Sequence, residues 1–402
     1  MNILTLLCLL FTLACKPSEK PENEQKKQVE TQQNPTAKTL RLGAERMGSY
    51  LPQLKGKRVG AVVNQTSMVG QTHLIDTLLH QGIEVKQIFA PEHGFRGAAD
   101  AGEVVKDGKD VKTGLPILSL YGKNKKPSAE QLENLDVILF DIQDVGVRFY
   151  TYISTMHYIM EACAENGKKV IVLDRPNPNG WYVDGPVLDL KFRSFVGMHP
   201  IPVVHGLTVG ELADMINGEA WLKGGKQCDL EVVPMENYTH TTRYSLPVKP
   251  SPNLPNDRAI ELYPSICFFE GTVVSEGRGT EAPFQMIGAP WYPDCSYTFT
   301  PVSREGAKHP KFKNEKCCGK DLREKEEREN NLFFSELIDF YQNSPDKKNF
   351  FRSSFFNKLA GNDRLIQQIK EEKSEAEIRQ SWEPELGAYK AMRKQYLLYE
   401  DF

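Results

Sequence analysis

Five apolar, β-branched stretches of the chain each stop at a polar cluster. Residues 58–63 precede Asn64-Gln65-Thr66-Ser67, and 85–90 precede Pro91-Glu92-His93-Gly94. Residues 117–120 precede Tyr121-Gly122-Lys123, 137–140 precede Asp141-Ile142-Gln143-Asp144, and 170–173 precede Asp174-Arg175-Pro176-Asn177. Near-continuous Val/Ile/Leu runs that alternate with helical patterns predict parallel strands buried on both faces. Helices are expected over 44–54, over 74–80 before Gly82, after a Ser128/Gln131 capping box, and over 152–166 before Gly167. A further helix is expected from Thr208/Glu211 to 217–218, followed by a strand at 230–233. The pattern predicts an α/β fold: a Rossmann-like, mostly parallel sheet with helices on both faces. In such a sheet ligands bind outside the strands' carboxyl ends, where the polar clusters fall.

From about residue 240 the texture changes. Residues 247–264 contain five prolines and read as an irregular crossing segment; helices follow at 332–341, 365–378 and 386–398. This predicts a smaller α+β domain over 241–402 that closes on the strand-end edge of a catalytic domain over 39–240. No G-x-G-x-x-G follows the first strand and no phosphate-loop motif occurs, so no cofactor is expected. Residues 3–14 are apolar and uncharged and lead to Cys15, as in a bacterial lipoprotein signal over 1–15, although no Lys or Arg precedes the run and Thr12 stands where Leu is usual. The Lys/Glu/Gln-rich 16–38 reads as a disordered tether. These segments predict lipidation at Cys15, a periplasmic location, and membrane contact through that anchor only. The net charge of −3 over 402 residues gives no electrostatic footprint for nucleic acid. Cys163 is expected in the core; Cys317-Cys318 falls in a Lys/Glu-rich segment read as a loop, with a partner left open.

Three clusters carry candidate chemistry. In Pro91-Glu92-His93-Gly94 the proline extends the backbone and the glycine turns it, aiming Glu92 into the crevice. Partial burial of a carboxyl group suits it to general-acid chemistry near neutral pH. Asp141, Gln143, Asp144 and Arg148 crowd acceptors and a planar donor into eight residues, with Tyr150 and Tyr152 as stacking faces for a sugar ring. Glu270 and Glu276 flank Gly277-Arg278-Gly279, where the glycines would let a ligand approach and Arg278 would grip a carboxylate. A solvated glutamate, an Asp144–Arg148 ion pair and a surface arginine are the plain alternatives. No metal-ligand spacing and no G-x-S-x-G elbow is present, which leaves paired carboxylates and glycoside hydrolysis as the leading chemistry.

Taken together, Pro91-Glu92-His93-Gly94-Phe95-Arg96-Gly97, the run from Phe140 to Tyr152, Asp174-Arg175-Pro176-Asn177-Pro178, Glu270-Gly271-Thr272, Ser275-Glu276-Gly277-Arg278-Gly279-Thr280 and Gly288-Ala289-Pro290-Trp291 resemble the NamZ family of exo-β-N-acetylmuramidases, glycoside hydrolase family 171. The resemblance runs from about residue 40 to the C-terminus. It implies release of terminal, non-reducing N-acetylmuramic acid from peptide-free peptidoglycan saccharides in a cleft between two domains. It also implies Glu92 as leading catalytic carboxyl, with Glu276 and Asp141 as further catalytic candidates. Asn64, His93, Gln143, Asp144, Arg148, Tyr150, Tyr152, Glu270 and Arg278 are then substrate-binding candidates, and Arg148 or Arg278 the cation for the lactyl carboxylate. A non-catalytic glycan-binding lipoprotein and a metal-assisted hydrolase using His93 with Asp141 or Asp144 stay open as alternatives.

Overall fold

The computed structural model describes residues 39–95, 107–324 and 331–402. The expected lipoprotein signal and the tether therefore lie outside the described residues, as do Arg96 and Gly97.

The apolar runs form the strands β1 (Arg58–Val63), β2 (Glu84–Ala90), β4 (Pro116–Ser119), β5 (Val137–Asp141), β6 (Lys169–Leu173) and β7 (Asp229–Val233), with β3 (Gly108–Lys109) at one edge. Their order is β3-β4-β2-β1-β5-β6-β7, all parallel except β3. Alternation along each strand supplies two faces. Val62, Ile138, Phe140, Val170 and Val172 pack against Met156, Met160 and Cys163 of helix Tyr152–Asn166 and Leu212 and Ile216 of helix Val209–Gly218. Ala61, Val63, Leu139, Ile171 and Leu173 pack on the other side against Tyr50 and Leu54 of helix Met47–Leu54 and Leu74 and Leu78 of helix Leu74–His80. The Ser128/Gln131 and Thr208/Glu211 capping boxes both form, and Gly167 ends its helix in the left-handed region.

The later part holds a three-stranded antiparallel sheet of Met286–Ala289, Cys317–Asp321 and Tyr297–Phe299. Cys317-Cys318 is thus part of a strand rather than a loop, and Cys318 is bonded to Cys295. The helix expected over 332–341 begins only at Ser335, and the one expected over 365–378 is two helices, Arg364–Lys370 and Glu375–Gln380. Glu372 takes a φ of 57° between them and Ser374 caps the second, so continuous apolar spacing did not mean a continuous backbone. The proline-rich segment also ends in an unexpected helix, Asp257–Ile266, capped by Asn256 and carrying Pro264 within it. The C-terminus returns to the first layer: Tyr399 donates to Asp174, and Arg393 donates to the Gly206 carbonyl. Thr39–Phe402 is accordingly one compact unit.

Candidate active site

The strand order reverses between β1 and β5, where an open α/β sheet ordinarily receives its ligand. Here side-chain hydrogen bonds cross that crevice and leave only a small pocket of about 220 Å³ beside Thr66, Gln143 and Arg175. Ser67 Oγ donates to the Asp141 carbonyl, Thr66 Oγ1 accepts from Gln143 N at 3.0 Å, and the Asn64 amide oxygen accepts from Thr66 N and Oγ1 at 2.9 and 2.6 Å. The Asp141 carboxylate takes Arg175 Nε and Nη2 at 2.6 and 2.9 Å, with neither side chain more than 4% exposed. Gln143 donates to the carbonyls of Asp144 and Pro176.

The large cavity, about 840 Å³, lies to one side, over the loops that follow β2, β4 and β5. Glu92 reaches its wall because the chain turns sharply after Pro91. His93 and Gly94 have φ of 68° and 77°, and Gly94 N donates to the Pro91 carbonyl at 3.0 Å. Thr151 Oγ1 donates to Glu92 Oε2 at 2.8 Å, and the Tyr121 phenol is bonded to the same carboxyl group. Burial, then the adjacent carboxylate, pushes the Tyr121 pKa up, so this hydroxyl stays a donor. His93 Nε2 is 3.3 Å from Ser251 Oγ.

Residues after 250 complete the lining of the cavity. Arg278 donates through Nε and Nη2 to Glu270 Oε1 at 2.9 and 2.5 Å, and Nε lies 3.5 Å from Glu276 Oε1. Lys311 Nζ binds the other Glu276 oxygen at 2.9 Å and the carbonyls of Phe269 and Val274. Burial opposes ionisation of Glu276, but Lys311 and Arg278 outweigh it and hold the carboxyl below its ordinary range. Two cations and two carboxylates therefore cancel on this wall. Arg278 Nη1 is buried with no partner among the described residues.

Of the twelve residues singled out in the sequence, Glu92, His93, Tyr150, Tyr152, Glu270, Glu276 and Arg278 line this cavity. Asn64, Asp141, Gln143, Asp144 and Arg148 do not. Asp141 is neutralised by Arg175; the Asn64 amide oxygen and the Gln143 amide nitrogen are spent at the sheet edge, while Asn64 Nδ2 is buried with no partner among the described residues. Asp144 Oδ2 accepts from Gly146 N at 2.7 Å, and burial pushes its pKa up to about 7. Arg148 is fully buried and pairs with no carboxylate; it donates to the carbonyls of Pro186, Ile201 and Leu359 at 2.7, 2.7 and 2.8 Å. It neither pairs with Asp144 nor reaches a sugar. Tyr150 and Tyr152 are only 7% and 1% exposed, and both hydroxyls donate to the Pro250 carbonyl, so they tie the proline-rich segment over the site rather than offer broad faces. The glycines beside Arg278 serve the chain itself. A Cβ on Gly277 would meet Met286, and one on Gly279 would meet Pro310 and Val302, at 2.8 Å or less.

Tyr121 and Thr151 stood inside the polar clusters and were legible as neighbours of Glu92. Lys311 and Arg352, which also line the cavity, sit in segments with no motif. Among the described residues, no group of three or more His, Cys, Asp and Glu side chains could hold a metal ion.

Known proteins share both the sequence and the fold. The family models for the N-terminal and C-terminal parts of exo-β-N-acetylmuramidase NamZ match residues 59–258 and 261–399. The peptidoglycan β-N-acetylmuramidase NamZ of Bacillus subtilis (strain 168) is 40% identical over 374 residues, 87% of this chain and 89% of that protein. A crystal structure of a DUF1343 family protein from Bacteroides fragilis NCTC 9343 aligns with a TM-score of 0.85 at 49% identity, over 91% of this chain and all of that one. A second DUF1343 family protein from the same organism gives a TM-score of 0.77 at 30% identity, over 90% and 99% of the two chains. With both family models matched end to end over the described body, the chain belongs to the exo-β-N-acetylmuramidase NamZ family.

Proposed function

We propose that this protein is an exo-acting glycosidase that releases terminal, non-reducing N-acetylmuramic acid from peptide-free peptidoglycan fragments. The observation that carries this reading is the placement of Glu92 at the wall of the large cavity, oriented by Thr151 and Tyr121, in a cavity that the Glu276 cluster also lines. Glu92 protonates the glycosidic oxygen as the bond to the anomeric carbon breaks, then takes a proton from the incoming water. Glu276, kept ionised by Lys311 and Arg278, holds those two side chains in place on the cavity wall. Asp141 has no part, because both its oxygens are engaged by Arg175. The family membership and the Bacillus subtilis relative's activity support the substrate class. The enzyme works at the cell envelope, tethered through a lipid on Cys15.

The test is to incubate residues 39–402 with disaccharides of both sugar orders and measure free muramic acid. Release is expected only when muramic acid is at the non-reducing end. Glu92→Gln should cut turnover roughly 10²–10⁴-fold with thermal unfolding unchanged; near-normal turnover would remove Glu92 from the mechanism. Tight saccharide binding without release would favour the glycan-binding lipoprotein. A metal-assisted route through His93 finds no partner in Asp141 or Asp144, since one is held by Arg175 and the other does not line the cavity.

A further inference from the structure

An enzyme selective for muramic acid over glucosamine must sense the lactyl ether, which adds a carboxylate and a methyl group. The cavity wall contains several cations, but they are not equally available. Arg278 and Lys311 are neutralised by Glu270 and Glu276. Lys308 is already engaged. Arg352 differs: it lines the cavity, its side chain is exposed, and it makes no hydrogen bond or ion pair among the described residues. Its backbone, by contrast, is fixed. Arg352 N donates to the Gly271 carbonyl at 2.8 Å, and the Arg352 carbonyl accepts from Phe355 N and Phe356 N, both at 2.9 Å. The residue that carries the guanidinium is thus anchored beside Gly271, at the start of helix Ser353–Ala360. Phe355, three residues on, lines the same cavity and leaves 36% of its surface exposed.

We infer that Arg352 is the specificity-determining cation, pairing with the lactyl carboxylate while Phe355 covers the lactyl methyl group. An unpaired guanidinium can form two parallel bonds to a carboxylate without first giving up another partner. Arg278 keeps only Nη1 unengaged, and its charge is already compensated by Glu270 and Glu276. The inference rests on the muramidase reading and names the part of the site that selects its substrate.

The experiment compares a chromogenic β-muramide with its lactyl methyl ester, which keeps the shape and loses the charge. Wild-type residues 39–402 should prefer the acid in kcat/KM. Arg352→Ala should reduce that preference roughly ten- to a hundredfold, chiefly through KM on the acid, and Arg352→Lys should restore part of it. Thermal unfolding of each variant, expected to be unchanged, separates this from a loss of fold. An Arg352→Ala enzyme that keeps the wild-type preference overturns the assignment and leaves the muramidase reading standing. A wild-type protein that hydrolyses neither compound and releases no muramic acid from disaccharides overturns both.

Discussion

Replacing Arg148 by methionine separates a structural arginine from a substrate-binding one. The guanidinium ties the carbonyls of Pro186 and Ile201, in the first layer, to Leu359 near the end of helix Ser353–Ala360. Methionine fills much of the volume but strands the buried carbonyl oxygens of Pro186 and Leu359, at about 1–3 kcal/mol each, while the Ile201 carbonyl keeps Leu188 N as a donor at 3.1 Å. Against that stands relief from burying a guanidinium that has no carboxylate partner, worth several kcal/mol. The same burial pushes the Arg148 pKa down to about 9. The two terms oppose each other and leave a net destabilisation of at most about 3 kcal/mol. Urea unfolding of residues 39–402 reads this directly, and activity at low urea should fall only as the fold is lost. An unchanged unfolding midpoint with a raised KM for the muramide would refute the reasoning and put Arg148 on the substrate.

Two further outcomes follow from buried charge and from the proposed lipid anchor. Burial raises Asp144 from 3.8 to about 7, so the folded state holds its proton where the unfolded chain does not. Its contribution to stability is complete below about pH 4 and is lost as pH rises to about 7. Asp144→Asn should therefore match wild type near pH 4 and be more stable at pH 8, with a ceiling of about 4 kcal/mol at 1.36 kcal/mol per pH unit; a gain that is the same at both values, in thermal unfolding, would contradict the buried-charge account. Cys15→Ala in the full chain should abolish labelling by a palmitate analogue and move the protein from the membrane to the soluble envelope fraction, and an unaltered distribution would dispose of the anchor.

Local rules carried much of the fold. The strand cores at 58–63 and 137–140, the Thr208/Glu211 box and the Gly167 stop depend on neighbours within a turn or a pleat, so the chain announces them directly. Failures occurred where distant backbone decided the outcome. Residues 365–378 kept helical spacing across a break at Glu372, and Cys317-Cys318 looked like loop until Met286–Ala289 and Tyr297–Phe299 paired with it.

For the site, sequence by itself determined that Glu92, Asp141 and Arg148 stand just beyond strand ends, because a buried parallel strand must release its chain at one edge. It could not determine which of them meets solvent. Asp141 and Arg148 are withdrawn by partners 34 or more positions away, Arg175 for one and three carbonyls reaching as far as Leu359 for the other. Lys311 and Arg352 enter the cavity from segments without a motif, since only packing of the later residues against the sheet edge brings them there. A side chain's chemistry is written in its type and its near neighbours; whether its charge is compensated or available depends on what the fold sets beside it.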